Sequence, residues 1–299
     1  MGTIFSISVF HASARQAERA IEQAMAEIVR LDLVMSHFKE TSELSRLNRE
    51  GSRGFVPVEP SLFEVIEQSI GFSRLSGGKF DVTIAPLLRL WQEARETGHR
   101  PSAEQLAKAS RCVGYQHIET SPPNRIRFHS DCLQLDLGGI GKGYAVDRAL
   151  AVLREAGVRH AVVNAGGSTI ASIGAPPGER GWPVQLVASV SGSRRLLLRD
   201  ASISTSEQAL RSLVFEDGVV GDIMDPQQQG PSLRSGTVSV ISEDATAADA
   251  LSTTLLLMSH EEGRRLLEQF PNVSALWISS AGTLDAAYRA SVLTLAHHR

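Results

Sequence analysis

The chain has 299 residues, a formal net charge of -3 and 42% hydrophobic residues, enough to bury a sizeable core in one large domain or two modest ones. That charge gives no broad basic field, and aromatic residues at 5% give no base-stacking platform, so nucleic acid is not an expected partner. No apolar run approaches the length that crosses a bilayer, and no membrane span is expected.

Cys112 and Cys132 are the only cysteines, and neither sits in a C-x-x-C pair. They are read as two free thiols, with one disulfide as the alternative. The opening MGTIFSISVF lacks the basic start and apolar core of a secretion signal. A cytoplasmic location is expected for the chain as given, and a periplasmic one if a leader is missing.

Along the chain, Phe5, Ile7 and Val9 alternate with Ser6 and Ser8, which predicts a strand over 4–10. From Arg15 to Phe38, apolar residues recur at steps of three or four and predict a core-facing helix. Ser42 to Asn48 reads as a polar connection. A second helix is expected from Ser61 to Leu75, stopped by Gly77 and Gly78. Pro86 is expected to interrupt any regular element in Phe80 to Trp91, and 93–102 reads as an exposed loop. A short helix from Ala103 to Ser110 leads into three stretches near His117, Ile126 and Leu133 that read as a small meander.

Leu135 to Gly167 reads LDLGGIGKGYAVDRALAVLREAGVRHAVVNAGG: a glycine-rich turn, an amphipathic helix and a strand over Ala161 to Asn164. A helix opening at such a turn presents amide groups and a positive dipole end, and Lys142 adds a full charge. An anion such as phosphate suits that spot. The spacing matches neither standard phosphate loop, so an ordinary strand-to-helix turn stands beside this reading. Strands follow at Val184 to Ala188, Arg195 to Leu198, Val219 to Ile223 and Thr237 to Ile241. Helices at Thr246 to Met258 and Glu261 to Phe270, then strands at Val273 to Ile278 and Ser291 to Leu295, close the chain. This mixed order predicts an α+β fold in one compact unit over 1–299.

Asp249 and Thr253 lie four apart on the late helix and share a face. A carboxylate beside a hydroxyl suits a hard cation such as magnesium held together with substrate phosphates. The plainer reading places Asp249 near a helix start and Thr253 in the core. Asp225-Pro226 marks a turn, with Asp222 three residues earlier. The histidines show no metal spacing, and Ser204 to Ser206 read as hydroxyls in a loop with no G-x-S-x-G around them.

Taken together, MGT at Met1 to Thr3, MSHFKETSELSRLN at Met35 to Asn48, GGKFDVTIAPLLRLW at Gly77 to Trp91 and LDLGGIGKGYAVD at Leu135 to Asp147 resemble the ApbE family, the FAD:protein FMN transferases. VNAGG at Val163 to Gly167, STS at Ser204 to Ser206, IMDP at Ile223 to Pro226 and DALSTT at Asp249 to Thr254 extend the resemblance over nearly the whole chain. It implies a compact, T-fold-like architecture and a magnesium-dependent transfer of FMN from FAD to a threonine or serine of an acceptor protein, with AMP released. It also implies magnesium ligands at Asp249, Ser252, Thr253 and the main-chain carbonyl of Gly139. Flavin and nucleotide contacts map to Met1, Phe38, Asp81, Val82, Thr83, Asp136, Lys142 and Met224.

The chain departs from the family pattern at several places. The expected base, a histidine in H-I-I-D-P, is replaced by Asp222, and a carboxylate is the weaker base. D-P-x-T-G becomes Asp225-Pro226-Gln227-Gln228-Gln229, T-S-G becomes Thr205-Ser206-Glu207, and G-G-D becomes Gly166-Gly167-Ser168. Phe38 stands where an aromatic hydroxyl is common. These changes keep two alternatives open: a magnesium-dependent FAD pyrophosphatase giving FMN and AMP, and a non-catalytic FAD-binding protein.

Overall fold

A computed structural model describes residues 2–186, 194–208, 213–215, 218–221, 223–289 and 295–296. Met1 and Asp222 lie outside the described residues, as do most of the expected strand Ser291 to Leu295 and the end of Val184 to Ala188. The helices, in chain order, are α1 (Ala14–Met35), α2 (Glu43–Glu50), α3 (Pro60–Leu75), α4 (Ala85–Thr97), α5 (Ala103–Ser110), α6 (Gly141–Glu155), α7 (Ala245–Leu256) and α8 (His260–Leu267). Helices and strands alternate irregularly, as an α+β fold requires. The chain divides into two compact units, Met1–Leu31 with Ile140–Glu207 and Gly236–Arg299, and Asp32–Gly139 with Gln208–Ser235.

The first unit is built on a seven-stranded sheet: β1 (Phe5–Val9), β2 (Ala161–Ala165), β3 (Thr169–Ile173), β4 (Ser202–Gln208), β5 (Gly236–Ser242), β6 (Ser274–Ile278) and β7 (Leu284–Tyr288), adjacent in that order. Antiparallel pairing sets Phe5 opposite Ala165, Val163 opposite Ala171 and Thr169 opposite Ser204. Alternation then sorts the side chains by face. Ala161, Val163, Ala165 and Ala171 pack against Ala24 and Ile28 of α1 and Val146, Ala149 and Leu153 of α6. Val162 and Ile170 meet Trp182, Val184, Leu196 and Leu198 on the other face. Those residues belong to a small sheet of Trp182–Leu186, Arg194–Leu198 and Leu295–Ala296.

β3 has no counterpart in the sequence reading, and β4 stands where Ser204 to Ser206 read as a loop. Their sequences, TIASI and SISTSEQ, are rich in serine and threonine and give little apolar alternation. Thr169, Ser172, Ser202 and Ser204 are nonetheless buried.

The second unit holds α2 to α5, a three-stranded sheet and two short hairpins, Leu213–Phe215 with Gly218–Val220 and Met224–Asp225 with Gly230–Pro231. It corrects four expectations. Ser42 to Asn48 is not a plain connection: Ser42 caps α2 by accepting from the Ser45 amide at 3.0 Å, and Leu44 and Leu47 are fully buried. Pro86 does not interrupt a helix but sits in the first turn of α4, where its missing N–H costs nothing, and the helix runs on to Thr97. The third strand beside Ile118–Ser121 and Arg125–Phe128 is Val56–Pro57, contributed from far upstream; Leu133 is buried outside any strand. Cys112 and Cys132 form a disulfide rather than two free thiols, with Cα atoms 5.2 Å apart. A closure over 20 residues is tertiary and leaves no mark in the spacing. No described helix is long and apolar enough to cross a membrane.

Candidate functional site

In the first unit, the chemistry gathers where α6 packs on α7. A side-chain carbon at Gly143 would stand 2.2 Å from the Ala245 carbonyl oxygen and 2.8 Å from Asp249 Cβ. Glycine alone permits that approach. It brings the Gly143 amide to 3.0 Å from Oδ2 of Asp249, so this amide of the glycine-rich turn serves a buried carboxylate. Lys142 Nζ lies 3.4 Å from the other carboxylate oxygen.

Strand β4 supplies the rest. Ser204 Oγ donates to Asp249 Oδ1 at 3.1 Å, and Thr169 Oγ1 lies 3.5 Å from the same oxygen and 2.9 Å from Ser204 Oγ. One helical turn further, Ser206 Oγ is 2.8 Å from Ser252 Oγ and 3.1 Å from Thr253 Oγ1. The match is geometric. Two residues along a strand advance about 6.7 Å and four along a helix about 6 Å, so Ser204 and Ser206 keep step with Asp249 and Thr253. Lys142 of the glycine-rich turn thus comes together with Asp249, Ser252 and Thr253 of the late helix. Thr169 and Ser204 carry no local sign of a role as orienters in the sequence; their signal is a hydroxyl at a buried strand position.

The start of α7 is fixed by two carboxylates. Asp244 caps it, accepting from the Thr246 and Ala247 amides. Asp147 of α6 accepts from the Ala245 amide at 2.9 Å and from Thr246 N and Oγ1 at 2.8 and 2.5 Å. Burial first, and then the neighbouring Asp244 carboxyl, hold the Asp147 carboxyl well above the usual range.

The second unit contains a groove of about 640 Å³ lined by His37, Phe38, Trp91, Asp136 and Met224 together with polar residues of α4. Phe38 is 73% exposed, whereas Trp91 and Met224 are buried. His37 Nδ1 is 3.1 Å from Asp136 Oδ2, and its ring lies 3.8 Å from that of Phe38. Asp136 Oδ1 accepts from the Gly138 amide at 2.6 Å. The side-chain amide of Asn48 both donates to the Leu135 carbonyl (3.0 Å) and accepts from the Leu135 amide (2.8 Å), which fixes the backbone next to Asp136.

Asp81, Val82 and Thr83 do not line this groove; they are buried. Asp81 Oδ1 accepts from Thr83 N and Oγ1, and Oδ2 accepts from the Tyr115 amide. Thr83 Oγ1 in turn accepts from the Gly114 amide at 2.7 Å. Burial raises the Asp81 carboxyl above its ordinary range, against the lowering effect of these bonds. The Val82 carbonyl accepts from the Asp136 amide at 2.7 Å, tying this buried turn to a groove residue. Gly139 lies in the turn leading to α6.

Asp225, read from sequence as part of a polar turn, is fully buried and pairs with Lys79 Nζ at 2.8 Å. Its second oxygen accepts from the Gln227 amide at 2.9 Å. The Gln208 side chain accepts from the Ile223 amide and donates to the Ser232 carbonyl, bracing the same segment. His37, Asn48, Lys79 and Gln208 are thus site-forming residues to which the sequence reading assigned no role.

The ApbE family model matches residues 1–277. The chain is 28% identical to the FAD:protein FMN transferase of Treponema pallidum, over 95% of this chain and 86% of that one. Among solved structures it is similar to the flavinyl transferase ApbE of Pseudomonas stutzeri in its apo form, with TM-score 0.83, 25% identity and coverage of 97% and 93%. The flavin transferase ApbE of Vibrio cholerae is similar at TM-score 0.82 and 26% identity, covering 96% and 94%.

Proposed function

The chain belongs to the ApbE family and is an enzyme of the flavin-transferase kind, and from that premise we propose that it moves FMN from FAD to a threonine or serine hydroxyl of an acceptor protein, releasing AMP. One observation carries the reading. Lys142, Asp249, Ser252 and Thr253, the positions that match the family's phosphate and metal residues, lie together: Lys142 pairs with the Asp249 carboxylate, Ser252 donates to the Asp249 main-chain carbonyl, and Ser206 bonds both Ser252 and Thr253.

The donor set fits magnesium. Asp249 is a buried carboxylate flanked by hydroxyls, all hard oxygens, and its Oδ2 accepts from one amide among the described residues. No group of three or more His, Cys, Asp or Glu suited to a metal occurs among the described residues. A single carboxylate with hydroxyls suits an ion that takes its remaining ligands from substrate phosphates and water. Asp249, Thr253 and Ser252 would hold it, with the Gly139 carbonyl as a further ligand. Bound there, magnesium neutralises charge on the pyrophosphate oxygens. Lys142 adds a cation beside the same carboxylate, and Gly143, Ser204 and Thr169 fix that carboxylate's orientation.

Phe38, Asp136 and Met224 of the groove would take the flavin nucleotide, supported from behind by Asp81, Val82 and Thr83; Met1 completes the family's contact set. The acceptor hydroxyl oxygen bonds to the FMN phosphorus as the bond to the AMP oxygen breaks. Asp222, at the family's base position, is proposed to take the hydroxyl proton. The Cys112–Cys132 disulfide supports the periplasmic alternative for location, since such bonds persist in oxidising compartments.

The test is incubation with FAD, magnesium and candidate acceptors, reading AMP and an FMN-bearing peptide by mass spectrometry. Both products are expected. Absence of both, where an intact family member modifies the same acceptor, overturns the reading. AMP formed without any acceptor assigns the nucleophile to water instead.

A further inference from the structure

The hairpin Met224–Asp225 with Gly230–Pro231 forms part of the groove wall through Met224. It departs from the family pattern at Gln228 and Gln229. Gln229 stands where the pattern has glycine, and it keeps a left-handed φ of +58°, a conformation costly for a residue with a Cβ. Something must therefore hold this turn in shape.

Among the described residues, three ties from the turn to the rest of the second unit do so, beside the Asp225 carboxylate's own bonds to the Gln227 and Gln228 amides. Trp91 Nε1 donates to the Gln229 carbonyl at 3.2 Å, so the ring that lines the groove is itself anchored on the strained residue. The Gln227 side-chain amide donates to the Gly77 carbonyl at 3.0 Å. Lys79 Nζ meets Asp225 Oδ2 at 2.8 Å, with 15% and 1% of the two side chains exposed. Gly77 and Gly78, at φ +61° and +82°, turn the chain at the end of α3 just before Lys79. Of the three ties only the last joins full charges. Its loss alone would leave a buried carboxylate without a counter-charge.

We propose that Lys79 is a positioning residue for the flavin nucleotide: through Asp225 it holds the 224–231 hairpin, and through that hairpin it sets Met224 and Trp91 as groove walls. This rests on the flavin-transferase reading. Lys79 does not touch the reacting atoms, and its effect falls on ligand affinity.

The experiment combines amide hydrogen exchange with FAD titration on the full chain. In Lys79→Met, peptides covering 224–231 should exchange about tenfold faster, while those of α6 and α7 stay at wild-type rates. FAD affinity should fall about tenfold, and the loss should appear in KM for FAD rather than in kcat. Lys79→Met with Asp225→Asn removes both charges and keeps an acceptor for the Gln227 amide. It should recover much of both losses, and it serves as the second variant should the single one fold poorly. Unchanged exchange at 224–231 in Lys79→Met overturns the hold of the ion pair. Faster exchange with unaltered FAD affinity overturns its role in the site. Wild-type protein that takes up no FAD overturns the flavin reading itself, and with it the ligand named here.

Discussion

The main-chain amide of Gly143 donates to Asp249 across the packed pair of α6 and α7, at 3.0 Å. The two residues lie 106 apart in sequence, and each fixes the other: the glycine lets the helices close, and the closure gives the carboxylate a donor. Gly143→Ala should therefore destabilise the fold by about 2 kcal/mol through overpacking, read as a lower urea midpoint. An unchanged midpoint would show that the helices can part at no cost.

Asp249→Ala should lower AMP formation about 100-fold or more, and magnesium uptake with it. Ser204→Ala, which removes one orienting hydroxyl and keeps the carboxylate, should cost less. Calorimetry with magnesium and FAD gives a readout independent of turnover. Equal ion affinity in wild type and Asp249→Ala would remove this residue from the metal site.

The fold reads well where packing follows a period. β1, α1, α3, α6 and α7 announce themselves because one stripe or face is apolar. α2 carries only Leu44 and Leu47 as apolar anchors in eight residues, and its capping serine was the better clue. β3 and β4 stay hidden because hydroxyls occupy buried positions that apolar side chains usually hold; Thr169 and Ser204 serve Asp249, and Ser172 and Ser202 donate to main-chain carbonyls. At the site, the Asp249 and Thr253 spacing is local and legible. Lys79 with Asp225, Asn48 with Leu135 and Cys112 with Cys132 are encounters across tens of residues or more, which no local pattern encodes.

Stability should depend on pH through Asp147. Its folded carboxyl is pushed up to about 8, above an unfolded value of about 4. Between those values the folded state binds more protons than the unfolded one, so stability falls as pH rises. Asp244→Asn keeps a good helix cap and removes the like charge. Its melting temperature should fall less than that of wild type between pH 5 and pH 8. Identical slopes would clear Asp244 as a contributor.

Gln229→Gly should stabilise the protein by about 1 kcal/mol, a rise of about 2 °C in melting temperature, because the left-handed turn then carries no Cβ. A lower melting temperature would mean that the glutamine side chain contributes more than its backbone costs.

Replacing Cys112 and Cys132 by serine should cost about 3 kcal/mol, given the 20-residue separation they close. Urea unfolding of the wild type with and without reductant should show the same gap. No gap would argue that the bond does not form in solution.

The shared step of β4 and α7 also bounds how this chain can vary. A slip of β4 by one position would carry Ser204 and Ser206 to the opposite side of the sheet and set Ile203 against Asp249 and Thr205 against Thr253. An oily methyl would then confront a carboxylate. A single inserted residue in that strand would thus silence the chemistry while leaving every one of its functional groups in the chain.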